Sequence, residues 1–172
     1  SKVIENVYDL KDKYGNLQCG EHTWENNQDV MYSLHKQGID YLPLLIQKAH
    51  KQKLTFIASF RMNDTHIKSY PNSWAAPEFW KTHQHCRLWG VTHAKSYYNA
   101  ALDYSFPEVR KRYHDAILEV AANYDVDGVE LDFLRNPYLF QPDEAWRKRS
   151  ILTKFVRGLR HELDQIAAQR KK

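Results

Sequence analysis

The sequence predicts an α/β fold in which parallel strands alternate with helices, as in a closed barrel. The main observation is one strand pattern, in which Val129, Leu131 and Phe133 share a side while Glu130 and Asp132 share the other. A sheet that is buried on both faces does not accommodate two such carboxylates. A closed parallel barrel does, because its strands end at a polar mouth. Asp132 is therefore expected at that mouth.

The length of the chain limits the size of its domain, and its net charge bears on its binding partners. The chain has 172 residues, enough for one domain, whereas a complete eight-stranded barrel takes roughly 250. We therefore expect residues 1–172 to form a partial TIM-type barrel domain. The net charge is +4, and much of the excess lies in the final helix, where a solvated face is a better explanation than a nucleic-acid patch.

Cysteine content and hydropathy exclude several classes of protein. Cys19 and Cys86 are the only two cysteines, so neither a disulfide framework nor a cysteine-rich zinc site is expected. No stretch has the apolar length of a membrane span, and the first residues have no signal-peptide pattern. Secretion or a periplasmic location stays open, because a signal peptide could have been removed.

The first half of the chain predicts one helix and one strand before a long loop. Residues 1–37 are weakly periodic and predict mostly loop. A helix is expected from about Asp40, its N-cap, to Gln52. A strand over 54–61 places its large apolar residues on one face. Residues 62–99 form a long loop rich in aromatic residues, with a short helix around 77–83, and such loops are often functional.

The second half predicts two more strands, each followed by a helix. Residues 100–103 predict a short strand, and Ser105 with Glu108 has the spacing of a capping box that opens a helix to about Tyr124. After the carboxylate strand comes a loop and then a helix from about Glu144. The residues that this last helix is expected to bury are Leu152, Phe155, Val156, Leu159, Leu163 and Ile166. This order requires parallel strands with right-handed crossovers.

Three motifs in this order resemble those of a known family. They are Phe60 to His66, then Ala101 to Tyr104 leading into Pro107 to Arg110, then Tyr124 to Phe133. Together they are similar to the glycoside-hydrolase-like barrel proteins known as family 10-like glycosyl hydrolases, over roughly residues 39–163. The resemblance implies that the three strands are the second, third and fourth of a (β/α)8 barrel, with the first before Ser1 and the others after Lys172.

A weaker likeness to chitinase-type barrels lies in residues 127–132. Leu134 stands where those enzymes have their acid glutamate. This departure argues against chitinase chemistry at this strand.

The candidate catalytic residues are Asp132 and Glu130. Glycoside hydrolysis normally uses two carboxyl groups that flank the bond to be cleaved. These two are about 7 Å apart along one strand and point the same way at different depths. Asp132 is therefore expected to be a nucleophile or charge stabiliser, with its acid partner on another strand, unless it only caps the next loop. For Glu130, catalysis and a structural role that holds Arg61 are both open.

The candidate substrate-binding residues follow the carboxyl ends of the strands. An arginine fork and a side-chain amide suit sugar hydroxyls or carboxylates, although loop-stabilising hydrogen bonds explain these residues equally well. Trp74 and Trp89 are chosen among the loop aromatics because rings stack on sugars, while the alternative is a small core within the loop. The full set is Arg61, Asn63, Asp64, His66, Trp74, Trp89, Asp103, Arg135 and Asn136.

No metal or other cofactor is expected. His83 and His85, with His66 and His93, lack helical ligand spacing and an acidic third ligand. The sequence thus predicts a hydrolase that acts on a polysaccharide or oligosaccharide. The alternatives are a carbohydrate-binding barrel without catalysis and a small α/β interaction domain. A homodimer is expected if the chain is this short, because a half-barrel leaves strand edges unpaired.

Overall fold

The computed structural model describes residues 33–34, 36–63, 65, 77–88, 97–134 and 137–170. Most of the loop predicted for residues 1–37 lies outside them. The described helices and strands are α1 (Tyr41–Lys51), β1 (Ile57–Arg61), α2 (Glu78–Thr82), α3 (Pro107–Asn123), β2 (Gly128–Asp132) and α4 (Ala145–Gln169), with short 3-10 turns at Gln84–Cys86 and Tyr97–Ala100. None of these helices is long and apolar enough to cross a membrane.

Strands β1 and β2 form a parallel two-stranded sheet. Their register runs from Ile57 opposite Gly128 to Arg61 opposite Asp132. The hydrogen bonding continues beyond β1, since the Met62 amide donates to the Asp132 carbonyl at 3.0 Å. Parallel neighbours need a long crossover, and here it contains α2 and α3. The predicted α/β class with parallel strands is confirmed.

The strand predicted at residues 100–103 is wrong. Leu102 forms only an isolated antiparallel bridge with Arg87, and its amide bonds to the side chain of Asn63 at 3.0 Å. Because β1 and β2 bond to each other directly, no strand lies between them. The numbering of the strands as second, third and fourth therefore does not hold: the two described strands are adjacent.

The predicted alternation of the sheet is present. Phe60, Val129 and Leu131 pack against the hydrophobic core. On the opposite face Ile57 is 49% exposed, and Glu130 is exposed as well. No described element covers this second face, which we call the open face of the sheet. β1 is also shorter than predicted, because Leu54, expected on the apolar face, is exposed and precedes the strand.

The ends of the helices follow local rules, with one correction. The Asp40 carboxylate accepts from the Leu42 amide at 3.0 Å, so the predicted N-cap of α1 is confirmed. The predicted capping box of α3 is wrong, since Phe106 is the N-cap and Pro107 begins the helix. The amide and hydroxyl of Ser105 instead donate to Asp103, at 2.7 and 2.6 Å. Proline suits the first helical position because no amide partner is needed there.

Helices α3 and α4 lie side by side against the sheet. Leu159 of α4 is buried among the core residues, as predicted, whereas Val156 is 36% exposed and its predicted burial is wrong. At the far end of α4 the Arg170 guanidinium donates to the Tyr124 carbonyl at 2.6 Å. Since Tyr124 directly follows α3, the two helices end at the same edge of the molecule.

Much of the core comes from the crossover and from the segment after β2. The loop core, as we name it, consists of Met62, Trp80, Cys86, Ala100, Leu102, Tyr104, Leu139 and Phe140. It contacts the buried residues of the helices, Val109, Ile117 and Leu159. Since Met62 directly follows β1, the loop core adjoins the carboxyl edge of the sheet.

Candidate functional site

The two candidate carboxylates lie on the open face of the sheet. Asp132 is the last residue of β2 and lies opposite Arg61 at the end of β1. Glu130 lies opposite Ser59, two residue pairs farther from the carboxyl edge. Neighbouring strands are about 4.8 Å apart, so the positions of a cation, Arg61, and an anion, Asp132, are adjacent at this edge. The pairing places Arg61 beside Asp132 rather than beside Glu130.

Asp132 is half-buried and held by the chain that follows it. Its Oδ1 atom accepts a hydrogen bond from the Leu134 amide at 3.0 Å. Such a bond to the backbone two residues on is typical of an Asx turn, which fixes both the turn and the carboxylate. This contact agrees with the capping role that the sequence left open for Asp132, and it also orients the carboxylate.

Asn63 joins three segments at the same edge. Its amide nitrogen donates to the carbonyls of Leu102 and Tyr138, at 2.9 and 2.7 Å. Its oxygen accepts from the Leu102 amide at 3.0 Å. The side chain is 1% exposed, and both amide protons are used inside the protein. These bonds favour the loop-stabilising interpretation of Asn63.

Asp103 also has an internal role in the structure. It is buried, and its Oδ1 atom accepts from both the amide and the hydroxyl of Ser105. This arrangement holds the turn that leads into α3. As with Asn63, contact with a substrate stays a prediction, whereas the structural contact is observed.

Tyr104 and Cys86 are fully buried in the loop core. The Tyr104 hydroxyl donates to the Met62 carbonyl, and burial, with a smaller effect of Tyr113, raises the pKa of this phenol. Burial, followed by the nearby carboxylates of Glu108 and Asp103, raises the pKa of the Cys86 thiol. A buried thiol with a raised pKa is a poor nucleophile, so cysteine chemistry is not supported at this position.

The loop aromatics that the structure describes belong largely to the core. Trp80 is buried, and its indole nitrogen donates to the Ala100 carbonyl at 2.8 Å. Phe79 packs against the core and stacks on the His83 ring, with 4.0 Å between ring centroids. For these two residues the alternative of a small core within the loop is correct. Trp74 and Trp89, the two loop aromatics chosen as candidates, lie outside the described residues.

Six candidate binding residues lie outside the part of the chain that the structure describes: Asp64, His66, Trp74, Trp89, Arg135 and Asn136. Their roles stay predictions. Within the described ranges, no three His, Cys, Asp or Glu side chains come together in a way that could hold a metal ion. His83 instead places its Nδ1 atom 3.2 Å from the Phe79 carbonyl and 2.9 Å from the Thr82 hydroxyl.

One exposed aromatic residue was not among the residues singled out from the sequence. Trp146, in the first turn of α4, is 75% exposed. The sequence did offer a signal for it, because Trp146 lies outside the apolar stripe of a predicted amphipathic helix.

The opposite, amino edge of the sheet has a structural role. There the Asp127 carboxylate accepts a hydrogen bond from the Phe56 amide at 2.8 Å and contacts His50 at 2.9 Å.

These observations define the class of protein. It is an α/β protein with parallel strands, and its sheet presents carboxylates and an arginine on an open face. The family model described as glycosyl hydrolase-like 10 matches residues 18–150. Because this match covers more than half of the chain, the protein belongs to the glycosyl hydrolase-like 10 family, which confirms the resemblance of the motifs. A search of curated protein sequences finds no match.

Proposed function

We propose that the protein is a glycoside hydrolase that acts on an oligosaccharide or polysaccharide, with the described sheet as part of a (β/α)8 barrel. One observation supports this above all others. Asp132 and Arg61 lie opposite each other at the carboxyl ends of adjacent strands, on the open face. In barrel enzymes the carboxyl ends of the strands hold the reacting groups.

The proposed chemistry begins with positive charge at the anomeric carbon. As the glycosidic bond breaks, the sugar acquires oxocarbenium character, and a carboxylate on one side of the ring stabilises it or attacks it. Asp132 has this role in our proposal. Glu130 lies on the same face of β2, two residues farther from the carboxyl edge, so we assign it a supporting role at the site. The general acid that protonates the leaving oxygen is a carboxyl group on another strand.

The sugar itself is bound around this carboxylate. Arg61 supplies hydrogen-bond donors to hydroxyl groups or to a sugar carboxylate. The remaining proposed contacts come from the loops after the strands, namely Asp64, His66, Trp74, Trp89, Arg135 and Asn136. We assign Asn63 and Asp103 to the support of these loops, because their observed hydrogen bonds are internal.

The test is release of reducing sugar from a broad panel of polysaccharides by the full-length protein. Asp132→Asn should abolish most of the activity, because the neutral amide cannot stabilise the cationic transition state. Asp143→Asn is the matched control, since Asp143 is an exposed carboxylate in the loop before α4, and it should be fully active. An Asp132→Asn protein with full activity would refute the assignment.

A second candidate is a carbohydrate-binding protein without catalysis. The observation that favours it is the bond from the Leu134 amide to Asp132, which gives this carboxylate a structural task. A binder would release no sugar from any polysaccharide, yet it would retain measurable affinity for glycans. A glutamate or aspartate at the carboxyl end of a further strand would favour the hydrolase instead.

A further inference from the structure

Helix α4 begins beyond the carboxyl edge of the sheet. It has 25 residues, so it is about 37 Å long, whereas a strand of five residues spans about 17 Å. Its carboxyl end is fixed near Tyr124, just before β2, by the Arg170 guanidinium. Phe155 of α4 contacts the ring of Tyr104, with 6.0 Å between ring centroids, and the Tyr104 hydroxyl donates to the Met62 carbonyl just beyond β1. Phe155 is thus level with the carboxyl edge, and the helix begins ten residues before it. The first turn of α4 therefore lies beyond the carboxyl edge of the sheet, on the side of the helices, whereas Asp132 lies on the open face.

That first turn presents an exposed aromatic ring with a cation stacked on it. Trp146 is 75% exposed, and the Arg149 guanidinium carbon lies 4.0 Å from the ring centroid. The same guanidinium donates to the Trp146 carbonyl at 2.5 Å. The arginine is thus held twice, by the ring and by the backbone. One face of the indole is covered, and the other is available.

The charge around this pair is strongly positive. From residue 145 to residue 161 the helix contains no aspartate or glutamate, and its cations are Arg147, Lys148, Arg149, Lys154, Arg157 and Arg160. Glu144 pairs with Arg147 at 3.2 Å and with Lys148 at 2.5 Å. Arg149 has no carboxylate partner among the described residues. Cations near the amino end of a helix are also locally unfavourable, and an anionic ligand would offset this cost.

We infer that Trp146 and Arg149 form a subsite for an acidic sugar residue of the glycan. The available face of the indole stacks on the apolar face of a sugar ring. The remaining donors of Arg149 bind an anionic substituent, a carboxylate or a sulfate, with charge-assisted hydrogen bonds. This inference rests on the proposed function, and it specifies the substrate class as an anionic glycan.

The test is titration calorimetry of the full-length protein with a galacturonate tetrasaccharide, a sulfated galactose tetrasaccharide and a neutral galactose tetrasaccharide. Wild-type protein should bind at least one acidic probe more tightly than the neutral one, and the preferred probe identifies the substituent. Trp146→Ala should weaken binding of that probe by roughly 3- to 10-fold. Arg149→Gln should do the same for the acidic probe and leave affinity for the neutral sugar unchanged.

Arg157→Gln is the matched control, because Arg157 is an exposed cation of the same helix with no ring stacked on it among the described residues, and it should bind as the wild type does. Circular dichroism checks that each variant is folded, and an unfolded Trp146→Ala is replaced by Trp146→Gln. Acidic binding that is absent, or unchanged in both site variants, would overturn the inference.

The two proposals fail in different ways. Binding of the acidic probe by Asp132→Asn protein should still depend on Trp146, because binding does not require turnover. If wild-type protein binds acidic glycans through this pair but hydrolyses none, the subsite stands and the hydrolase falls. If it hydrolyses only neutral glycans, and the two variants leave that activity unchanged, the hydrolase stands and the subsite falls.

Discussion

At the scale of single residues, Asn63 has the most connected side chain at the carboxyl edge of the sheet. Its three hydrogen bonds reach Leu102 and Tyr138, which lie 39 and 75 residues away in the sequence. A buried polar group stabilises a fold only while its partners are present, since each unsatisfied partner costs about 1–3 kcal/mol. Asn63 therefore links β1 to both loops that follow the sheet.

We expect Asn63→Asp to lower the free energy of unfolding by about 3 kcal/mol, because a carboxylate cannot donate to two buried carbonyls. Urea unfolding followed by circular dichroism measures the change. Asn123→Asp, an exposed substitution at the end of α3, is the control and should cost less than about 1 kcal/mol. A value for Asn63→Asp within the range of this control would contradict the structural role.

Asp40 illustrates a second link, between the start of α1 and the end of α3. One carboxylate oxygen caps α1, and the other accepts from the Tyr124 hydroxyl at 2.6 Å. That hydrogen bond, followed by partial burial and the charge of Asp40, raises the pKa of Tyr124 to about 12. The Asp40 side chain therefore caps α1 and binds the Tyr124 hydroxyl at the same time.

Asp40→Ala should cost about 1–2 kcal/mol of unfolding free energy, since it removes the cap and the phenol bond together. It should also return the pKa of Tyr124 toward its ordinary value, which NMR titration of the labelled phenol ring would record. Asp115→Ala, an exposed carboxylate that pairs with Lys111 within α3, is the control and should cost only a few tenths of a kcal/mol. An unchanged Tyr124 titration would rule out the link.

The two links differ in how far the sequence could predict them. Asp40 is recognisable as a cap because its partner is two residues away, in a pattern set by the local backbone. The partners of Asn63 are defined only by the folded loops. Asn63 was predicted to bind sugar because a polar residue after a strand is a reasonable ligand, and sequence alone does not show which carbonyls surround it.

At the scale of elements, helices α3 and α4 are joined by a histidine and a glutamate. The His114 Nε2 atom lies 2.8 Å from the Glu162 carboxylate. Burial lowers the pKa of His114, but the hydrogen bonds and charges of Glu162 and Asp115 outweigh this effect, so the pKa is raised. A raised pKa in the folded state means that protonation favours folding.

The pair should therefore stabilise the protein at low pH. Its contribution is fully present below the pKa of an unfolded histidine, near 6.5, and is lost as pH rises through the higher folded value. We expect Glu162→Gln to lower the free energy of unfolding more at pH 5.5 than at pH 8.5, by less than about 1 kcal/mol because the pair is partly exposed. Denaturant unfolding at both pH values measures this difference in the free energy of unfolding, with Asp164→Asn as the control. An equal loss at both values would contradict the assignment.

The elements themselves were largely predictable where their periodicity is long. The two-residue alternation in β2 and the apolar stripe of α4 each repeat several times, so the elements and most of their buried faces follow from the sequence. Residues 100–103 were misassigned because a short apolar run fits a strand, a turn or a core loop equally well. Val156 was misassigned because the helix repeat places it at the border of the buried stripe rather than within it.

At the scale of the whole molecule, the described sheet has an open face and two outer strand edges. It contains only β1 and β2 among the described residues, so each strand has a described neighbour on one side alone. Exposed edges offer unpaired backbone groups to another chain. Sequence patterning predicted that Glu130 and Asp132 share one face of the strand, but which strands are adjacent depended on long-range pairing that no local pattern encodes.

We expect the isolated 172-residue chain to form a dimer through these edges, or to aggregate. Size-exclusion chromatography with light scattering measures this. Ser59→Lys introduces a charge on β1 and should shift the chain toward monomer, whereas Thr153→Lys on the exposed side of α4 should not. A wild-type chain that stays monomeric at the highest concentration reached would contradict edge pairing, and it would also count against a small domain that interacts through its edges.

The central claim is that Asp132 on the open face is a catalytic carboxylate rather than a cap for the loop after β2. The most direct test measures kcat/KM and the free energy of unfolding together for wild-type and Asp132→Asn protein. We predict a loss of kcat/KM of at least about a thousandfold, with a change in unfolding free energy below about 1 kcal/mol. Full activity in the variant, or a loss of activity that merely follows unfolding, would contradict the account.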